Sequence, residues 1–395
     1  VHDTGANATE QATWNAAFSQ ATQGGPTQHG FDYYFGVDVP NWPPYCFIEN
    51  ERTVGIPSTW LPNDVIGNNQ ASMSGPAMPE WNFEQLLPTW GQKAEEYIAD
   101  RAENDAPFFL YMALTSPHTP LAVNKEFIGA SGLNNRYADL VIETDAILGR
   151  VLDALDAHGL CENTLVIFTS DNGCAPYVHV HHDGSGPGTA ALEPQGHFPS
   201  GPYRGYKSDA WDGGHRVPFI ARWPQSIAPA STCEALVSLV DFMATCADIL
   251  GDPLPDHAGE DSVSLLPLFN QRQPLTRDAL IHHSIDGKFA IRTEQWKLIL
   301  CPGSGGWTLR DHVAAAEGLP LVQLYDMTSD PGEQHNLQAQ HPDIVQHLLT
   351  QLRTLIAKGR STPGRERNND VPIDLWKSHT TPAVPPAAYA ALDDY

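Results

Sequence analysis

The sequence predicts an α/β protein with a mostly parallel central sheet flanked by helices, followed by a smaller C-terminal α+β subdomain of antiparallel sheet plus helix. Three observations predict it. A strand-length apolar run, Pro107–Leu114, is followed by a helix-period segment over 135–158 and then by a second apolar run from Thr164. Strand, helix, strand in that order implies a parallel pair joined by a crossover. Both runs end in polar residues, Thr115-Ser-Pro-His118 and Ser170-Asp-Asn172, where open α/β sheets place their ligands. After about Gly251 the pattern changes to short strand pairs and one amphipathic helix.

Residues 1–92 read as irregular, rich in Gly, Pro, Asn and Trp, with GFDYYFG (30–36) an aromatic loop bracketed by glycines. Trp90–Arg101 is helix-like. Between Asn135 and His158, Leu140, Thr144, Leu148, Val151, Leu152 and Leu155 recur at three and four, and Gly159 supplies a stop. In TLVIFTSDNG (164–173), Thr164, Val166, Ile167 and Thr169 are β-branched and suit a buried strand. Residues 175–206 form a loop rich in Gly, Pro and His; Val217–Ala221 resumes a strand, and Cys233–Leu250 reads as an amphipathic helix.

Farther on, Phe289–Arg292 and Trp296–Leu300 predict an antiparallel hairpin, and Leu324–Met327 can add a third strand. Ile344–Lys358 places Leu348, Leu349, Leu352 and Leu355 on one helical face, stopped by Gly359. The domain reading is 1–250 for the α/β part and 251–360 for the subdomain. Residues 361–395 form a Pro-rich tail that wraps the surface or is mobile.

With 22 Lys+Arg against 47 Asp+Glu, the chain is strongly acidic. Non-specific binding to nucleic acid or an anionic membrane needs a basic face and is not expected. No apolar stretch approaches the about 18 residues of a membrane span. Val1 is preceded by no Met and followed by no signal-peptide pattern, so the chain reads as a fragment or a processed product. Six cysteines without CxxC spacing read mostly as free thiols.

Asp171 and Asn172 are oxygen donors that suit a hard divalent cation such as calcium, but a strand-end turn explains them equally. His118, fixed between two prolines, can donate a proton to a departing oxygen, or is a surface-loop histidine. Arg204, Lys207 and Arg216 share a short Gly-rich segment able to converge on a tetrahedral oxyanion; the alternative is ion pairing with Asp209 and Asp212. The cluster His179, His181, His182, Asp183 lacks HExxH spacing, and lining a substrate entrance suits it better than zinc. Trp42, Tyr45, Trp60, Trp81 and Tyr177 can stack on sugar rings or pack under the loops.

Six segments in order, GFDYYFG, PFFLYMALTSPHTP, TLVIFTSDNG, RGYKSDAWDGGHRVPFIARWP, LVSLVDFMATCADILG and LYDMTSDPGEQHNL, resemble the sulfatase family of the alkaline phosphatase superfamily. They span Gly30 to Leu337. The resemblance implies an alkaline phosphatase-like fold and a calcium-dependent hydrolase of sulfate esters with one Ca2+ per site. It makes Asp171 and Asn172 metal ligands, His118 the sulfate-contacting proton donor and Lys207 the sulfate-binding lysine. Arg204, Arg216 and His181 are further candidates for substrate binding. The implied partner is a sulfated small molecule or glycan, and the implied location is periplasmic or secreted.

The family's nucleophile is a formylglycine made from a Cys/Ser-x-Pro-x-Arg segment, which is absent here together with the Asp pair that completes the metal site. Ser200-Gly-Pro-Tyr-Arg204 fits Ser-x-Pro-x-Arg but lies only a few residues before Lys207 and lacks the family's following Leu and Thr-Gly. Cys174-Ala-Pro-Tyr-Val178 lacks the Arg, and both fall in loops around the metal strand and the lysine. No residue of this chain is therefore expected to be the nucleophile, and the chain reads as the downstream portion of a sulfatase, inactive alone. The alternatives are a phosphoester or phosphonate hydrolase of the same superfamily, whose two-zinc members carry Asp-His where Asp171-Asn172 stands, or a non-catalytic binder of sulfated ligands.

Overall fold

The helix expected over 135–158 spans Arg136–Ala157 in the computed structural model, which describes residues 8–62, 73–133, 135–177, 188–270, 275 and 277–377. Asn135 caps it, its side-chain oxygen accepting the Ala138 amide at 2.9 Å. Leu140 and Ile147 on its buried face join Leu86, Leu87 and Trp90 of the helix Leu86–Arg101 in one core. By its internal contacts the chain divides into two units, 1–161 with 175–197, and 162–174 with 198–395.

The first unit also holds a helix, Ala8–Phe18, within the region read as irregular. That segment has no apolar face to mark it in the sequence. Three short antiparallel strands follow, β1 (Phe35–Gly36), β2 (Ile48–Glu49) and β3 (Arg52–Thr53), and then the pair β4 (Thr59–Leu61) and β5 (Gly75–Ala77). In the extended run Pro107–Leu114, half-buried Phe108, Leu110, Met112 and Leu114 alternate with exposed Phe109, Tyr111 and Ala113, the period of a strand. It enters no ladder among the described residues.

In the second unit β6 (Val166–Thr169) takes a partner the sequence reading did not foresee. It pairs antiparallel with β7 (Phe219–Arg222), Val166 opposite Arg222 and Thr169 opposite Phe219. The Gly-rich segment before β7 reverses the chain and brings it back along β6. The helix expected over Cys233–Leu250 begins only at Phe242, after a 3-10 turn where Ser238 and Asp241 form a capping box.

The C-terminal sheet contains the expected hairpin and third strand, joined by a fourth. β8 (Leu280–His283), β9 (Phe289–Arg292), β10 (Trp296–Ile299) and β11 (Gln323–Asp326) lie in the order β11-β10-β9-β8, all antiparallel. Because strand side chains alternate, the sheet has two differently committed faces. Ile291, Leu298 and Leu324 pack on Leu348, Leu349 and Leu352 of the helix Pro342–Lys358, with Trp376 from the tail buried among them. Ala290, Ile299 and Tyr325 turn the other way and pack on Ala210 and Trp211. The segment that bears Lys207 is thus seated on a sheet.

Candidate active site

Asp171 and Asn172 stand two and three residues past the end of β6, Asp171 exposed and Asn172 half-buried. Asn172 Nδ2 donates to Asp171 Oδ2 at 2.5 Å, and Ser170 Oγ donates to the Asn172 carbonyl at 3.1 Å. Asn172 Oδ1 and the carboxylate are left as adjacent oxygen donors, a chemistry that fits one flank of a calcium site. Calcium takes about six to eight oxygens. No group of three or more His, Cys, Asp or Glu side chains suited to a metal occurs among the described residues.

Gly173 then meets the Lys207 loop backbone to backbone. Its amide donates to the Gly214 carbonyl at 3.0 Å, and the Lys207 amide donates to the Cys174 carbonyl at 2.9 Å. A Cβ at position 173 would lie 1.8 Å from the Gly213 carbonyl oxygen, so only glycine permits this approach. The Lys207 side chain is half-buried, and its ammonium meets no carboxylate at ion-pair distance among the described residues.

The loop's other charges are committed to its frame. Asp209, fully buried, accepts the amides of Tyr206 at 3.0 Å, Trp307 at 3.0 Å and Thr308 at 3.2 Å. Arg204 stacks 3.7 Å above Trp211 and donates to the Glu333 carbonyl at 2.9 Å and the Tyr325 hydroxyl at 3.2 Å. Arg216 reaches Asp212 at 3.9 Å and lies over the Tyr203 ring. Asp212 also binds Lys297 of β10 at 2.7 Å, and Lys297 binds Glu333 at 2.8 Å. Burial works against the Asp212 charge, but the Lys297 ammonium outweighs it and holds the group below the usual carboxylate range. Glu333 shares that ammonium, yet its burial keeps it above that range.

Beside this network the rings of His215 and His282 lie 4.4 Å apart, and His282 Nε2 donates to the Ala210 carbonyl at 3.1 Å. His215 is exposed at its surface, yet its ring lies against the surrounding chain, and the loss of water there, then the Lys297 charge, push it down to about 4. A folded-state value below the usual 6.5 favours the neutral ring, so its stabilising contribution is present above pH 6.5 and is lost as pH falls toward 4. His215→Gln is therefore expected to flatten the fall in thermal midpoint between pH 6.5 and 4. Superimposable pH profiles for the two proteins would contradict that expectation.

His118 belongs to the first unit. Its Nδ1 lies 2.9 Å from the Thr119 carbonyl, which can only accept, so Nδ1 carries a proton and Nε2 is left for other partners. The loop is tied down where the Ser116 hydroxyl meets that of Thr144 on the helix Arg136–Ala157 at 2.6 Å. His181, with His179, His182 and Asp183, lies outside the described residues. Of the candidate stacking aromatics, Tyr45, Trp81 and Tyr177 pack into the core and Trp60 stacks on Trp14, while Trp42 is 52 % exposed.

The sulfatase family profile matches residues 4–252, well over half of the chain. The chain belongs to the sulfatase family. Its C-terminal part, residues 207–358, also matches the family described as N-sulphoglucosamine sulphohydrolase, C-terminal. An N-acetylgalactosamine-6-O-sulfatase of Bacteroides thetaiotaomicron is 31% identical over 366 residues, covering 82% of this chain and 68% of that protein. The mouse N-acetylgalactosamine-6-sulfatase is 27% identical over 87% of this chain and 65% of its own length. Human arylsulfatase A is 33% identical over 73% and 56%.

Among solved structures, one from work on glycosaminoglycan metabolism by Bacteroides thetaiotaomicron superposes with a TM-score of 0.72 at 27% identity, covering 86% of this chain and 75% of that one. A Pseudoalteromonas sulfatase gives 0.63 at 18% identity over 91% and 68%, a likeness of fold. The alkaline phosphatase-like α/β architecture and the class of sulfuric ester hydrolases expected from the sequence are thereby established for this sulfatase chain. Sequence reasoning named Asp212 only as an ion-pair partner for the loop's cations, a pairing that Arg216 makes, and did not single out Lys297 or Glu333. The signal available was a lysine at an inward position of the apolar strand WKLIL.

Proposed function

We propose that this chain carries the cation-binding and sulfate-holding residues of a calcium-dependent, formylglycine-using sulfatase that acts on a carbohydrate sulfate. The observation that supports it most is the paired contact of Gly173 with Gly214 and of Lys207 with Cys174, which holds the Asp171–Asn172 strand end beside the Lys207 loop. Asp171 and Asn172 would hold calcium, which supplies positive charge to sulfate oxygens when bound. Lys207, free of carboxylate partners among the described residues, binds the anion through charge-assisted hydrogen bonds. His118, whose Nδ1 lies 2.9 Å from the Thr119 carbonyl and so leaves Nε2 for other partners, is taken as the proton donor to the departing alcohol oxygen. Arg216 and His181 stand as further substrate contacts.

Carbohydrate is preferred to aryl sulfate because the Bacteroides and mouse relatives are N-acetylgalactosamine-6-sulfatases by name. The reading includes export to periplasm or medium, and a formylglycine precursor encoded in the open frame upstream of Val1. The test is a desulfation panel on the full-length gene product, purified from the exported fraction. Release of sulfate from sulfated sugars, abolished by a calcium chelator and restored by calcium, is the expected result. Activity confined to small aryl sulfates, indifference to chelation, or an upstream frame without Cys/Ser-x-Pro-x-Arg would each overturn the corresponding part.

A further inference from the structure

We propose that Lys297 is a positioning residue for the sulfate site, setting the Lys207 loop against the Asp171–Asn172 strand end by way of Asp212 and Glu333. The inference rests on the reading that those three residues bind the substrate and its cation. Lys297 lies on the loop-facing side of β10 and is fully buried, 0% exposed. Its ammonium bridges Asp212 Oδ1 at 2.7 Å and Glu333 Oε1 at 2.8 Å, and Glu333 Oε2 accepts the Asp212 amide at 2.6 Å. The Asp212 side chain is thus fixed from β10, and its backbone from Glu333 in the segment that follows β11.

Two residues farther on, the Gly214 carbonyl takes the Gly173 amide, next to Asn172. The loop is held on its Lys207 side as well. The Ser208 carbonyl accepts the Ile285 amide at 2.9 Å, and Ser208 Oγ accepts the Trp307 amide at 3.1 Å. Glu333 stands in the left-handed region at φ 54°, a conformation a non-glycine residue keeps only where its surroundings dictate it. Apolar side chains of similar volume would fill this space at no cost in desolvation, so a buried ammonium between two carboxylates is a poor device for stability alone. What the ionic bridge adds is direction, since it places Asp212 at one position relative to β10 and β11.

The test compares the full-length gene product with Lys297→Met and with the triple variant Lys297→Met, Asp212→Asn, Glu333→Gln, in which no carboxylate is left without its cation. Amide hydrogen exchange is read without substrate. In Lys297→Met, the Gly173 amide and those of 205–214 are expected to exchange at least about 100-fold faster, while the helix Pro342–Lys358 keeps its protection. The triple variant should keep that helix protected and still leave 173 and 205–214 fast. If Lys297→Met does not fold, the triple variant decides.

Unchanged exchange at Gly173 and Lys207 overturns the proposal. A loss spread evenly over β8 to β11 and the helix identifies a merely structural role and overturns it equally. A full-length product that desulfates no ester but shows the local exchange pattern would remove the functional reading and leave the positioning role standing.

Discussion

Lys207→Met in the full-length gene product should lower kcat/KM for a sulfate ester by about 100- to 1000-fold, the loss typical of removing one donor to developing anionic charge. The thermal midpoint should hardly move. The Lys207 ammonium pairs with no carboxylate among the described residues, the side chain is half-buried, and the amide bond to Cys174 is kept whatever side chain follows it. Michaelis constants and midpoints measured on one preparation check both halves. Activity within a few-fold of the parent would remove Lys207 from the site, and a parallel collapse of stability would make it a folding residue.

The second large effect concerns a single methyl group. In Gly173→Ala the new carbon would meet the Gly213 carbonyl oxygen at 1.8 Å, its carbon at 2.9 Å and Gly214 Cα at 3.1 Å, all of them backbone. No rotamer change can relieve this, so the strand end must part from the loop and give up the Gly173–Gly214 hydrogen bond. A stability loss of about 3 kcal/mol or more is expected, at the upper end for overpacking. Weakened calcium binding should accompany it. Gly149→Ala is the control: it lies inside the helix Arg136–Ala157 with nothing within 4 Å of the added carbon, and is expected to be neutral or stabilising by up to about 1 kcal/mol. Chemical denaturation of both variants settles the matter, and equal midpoints would refute the steric account.

Strong local signals were legible in the sequence. The capped helix from Arg136, the strand ending at Asp171-Asn172 and the hairpin around Thr293 each announce themselves through periodicity and stop residues. Pairing between distant strands was not legible in the same way. The order of strand, helix and strand pointed to a parallel neighbour for Val166–Thr169, yet β7 approaches it antiparallel from the Gly-rich segment read as an oxyanion loop. Nothing local tells a Gly-rich loop that lines a pocket from one that reverses the chain.

The site divides along the same line. Asp171, Asn172, Lys207 and His118 could be proposed because their residue types and motifs carry chemistry on their own. Lys297 could not, since a lysine in a predicted hairpin reads as solvated until its strand is known to be covered on both faces. Arg204 shows the reverse: cationic in sequence, it is engaged by Trp211, Tyr325 and Glu333 in the structure.

The seat of the Lys207 loop on the C-terminal sheet has a consequence in time. Asp212 meets Lys297 85 residues later in the chain, Trp211 meets Gln323 112 residues later, and Asp212 meets Glu333 121 residues later. During synthesis at about 5–20 residues per second, the loop emerges seconds before the strands that will floor it. For that interval the Lys207 loop lacks the sheet it packs on, and its seat is complete only once Glu333 has followed.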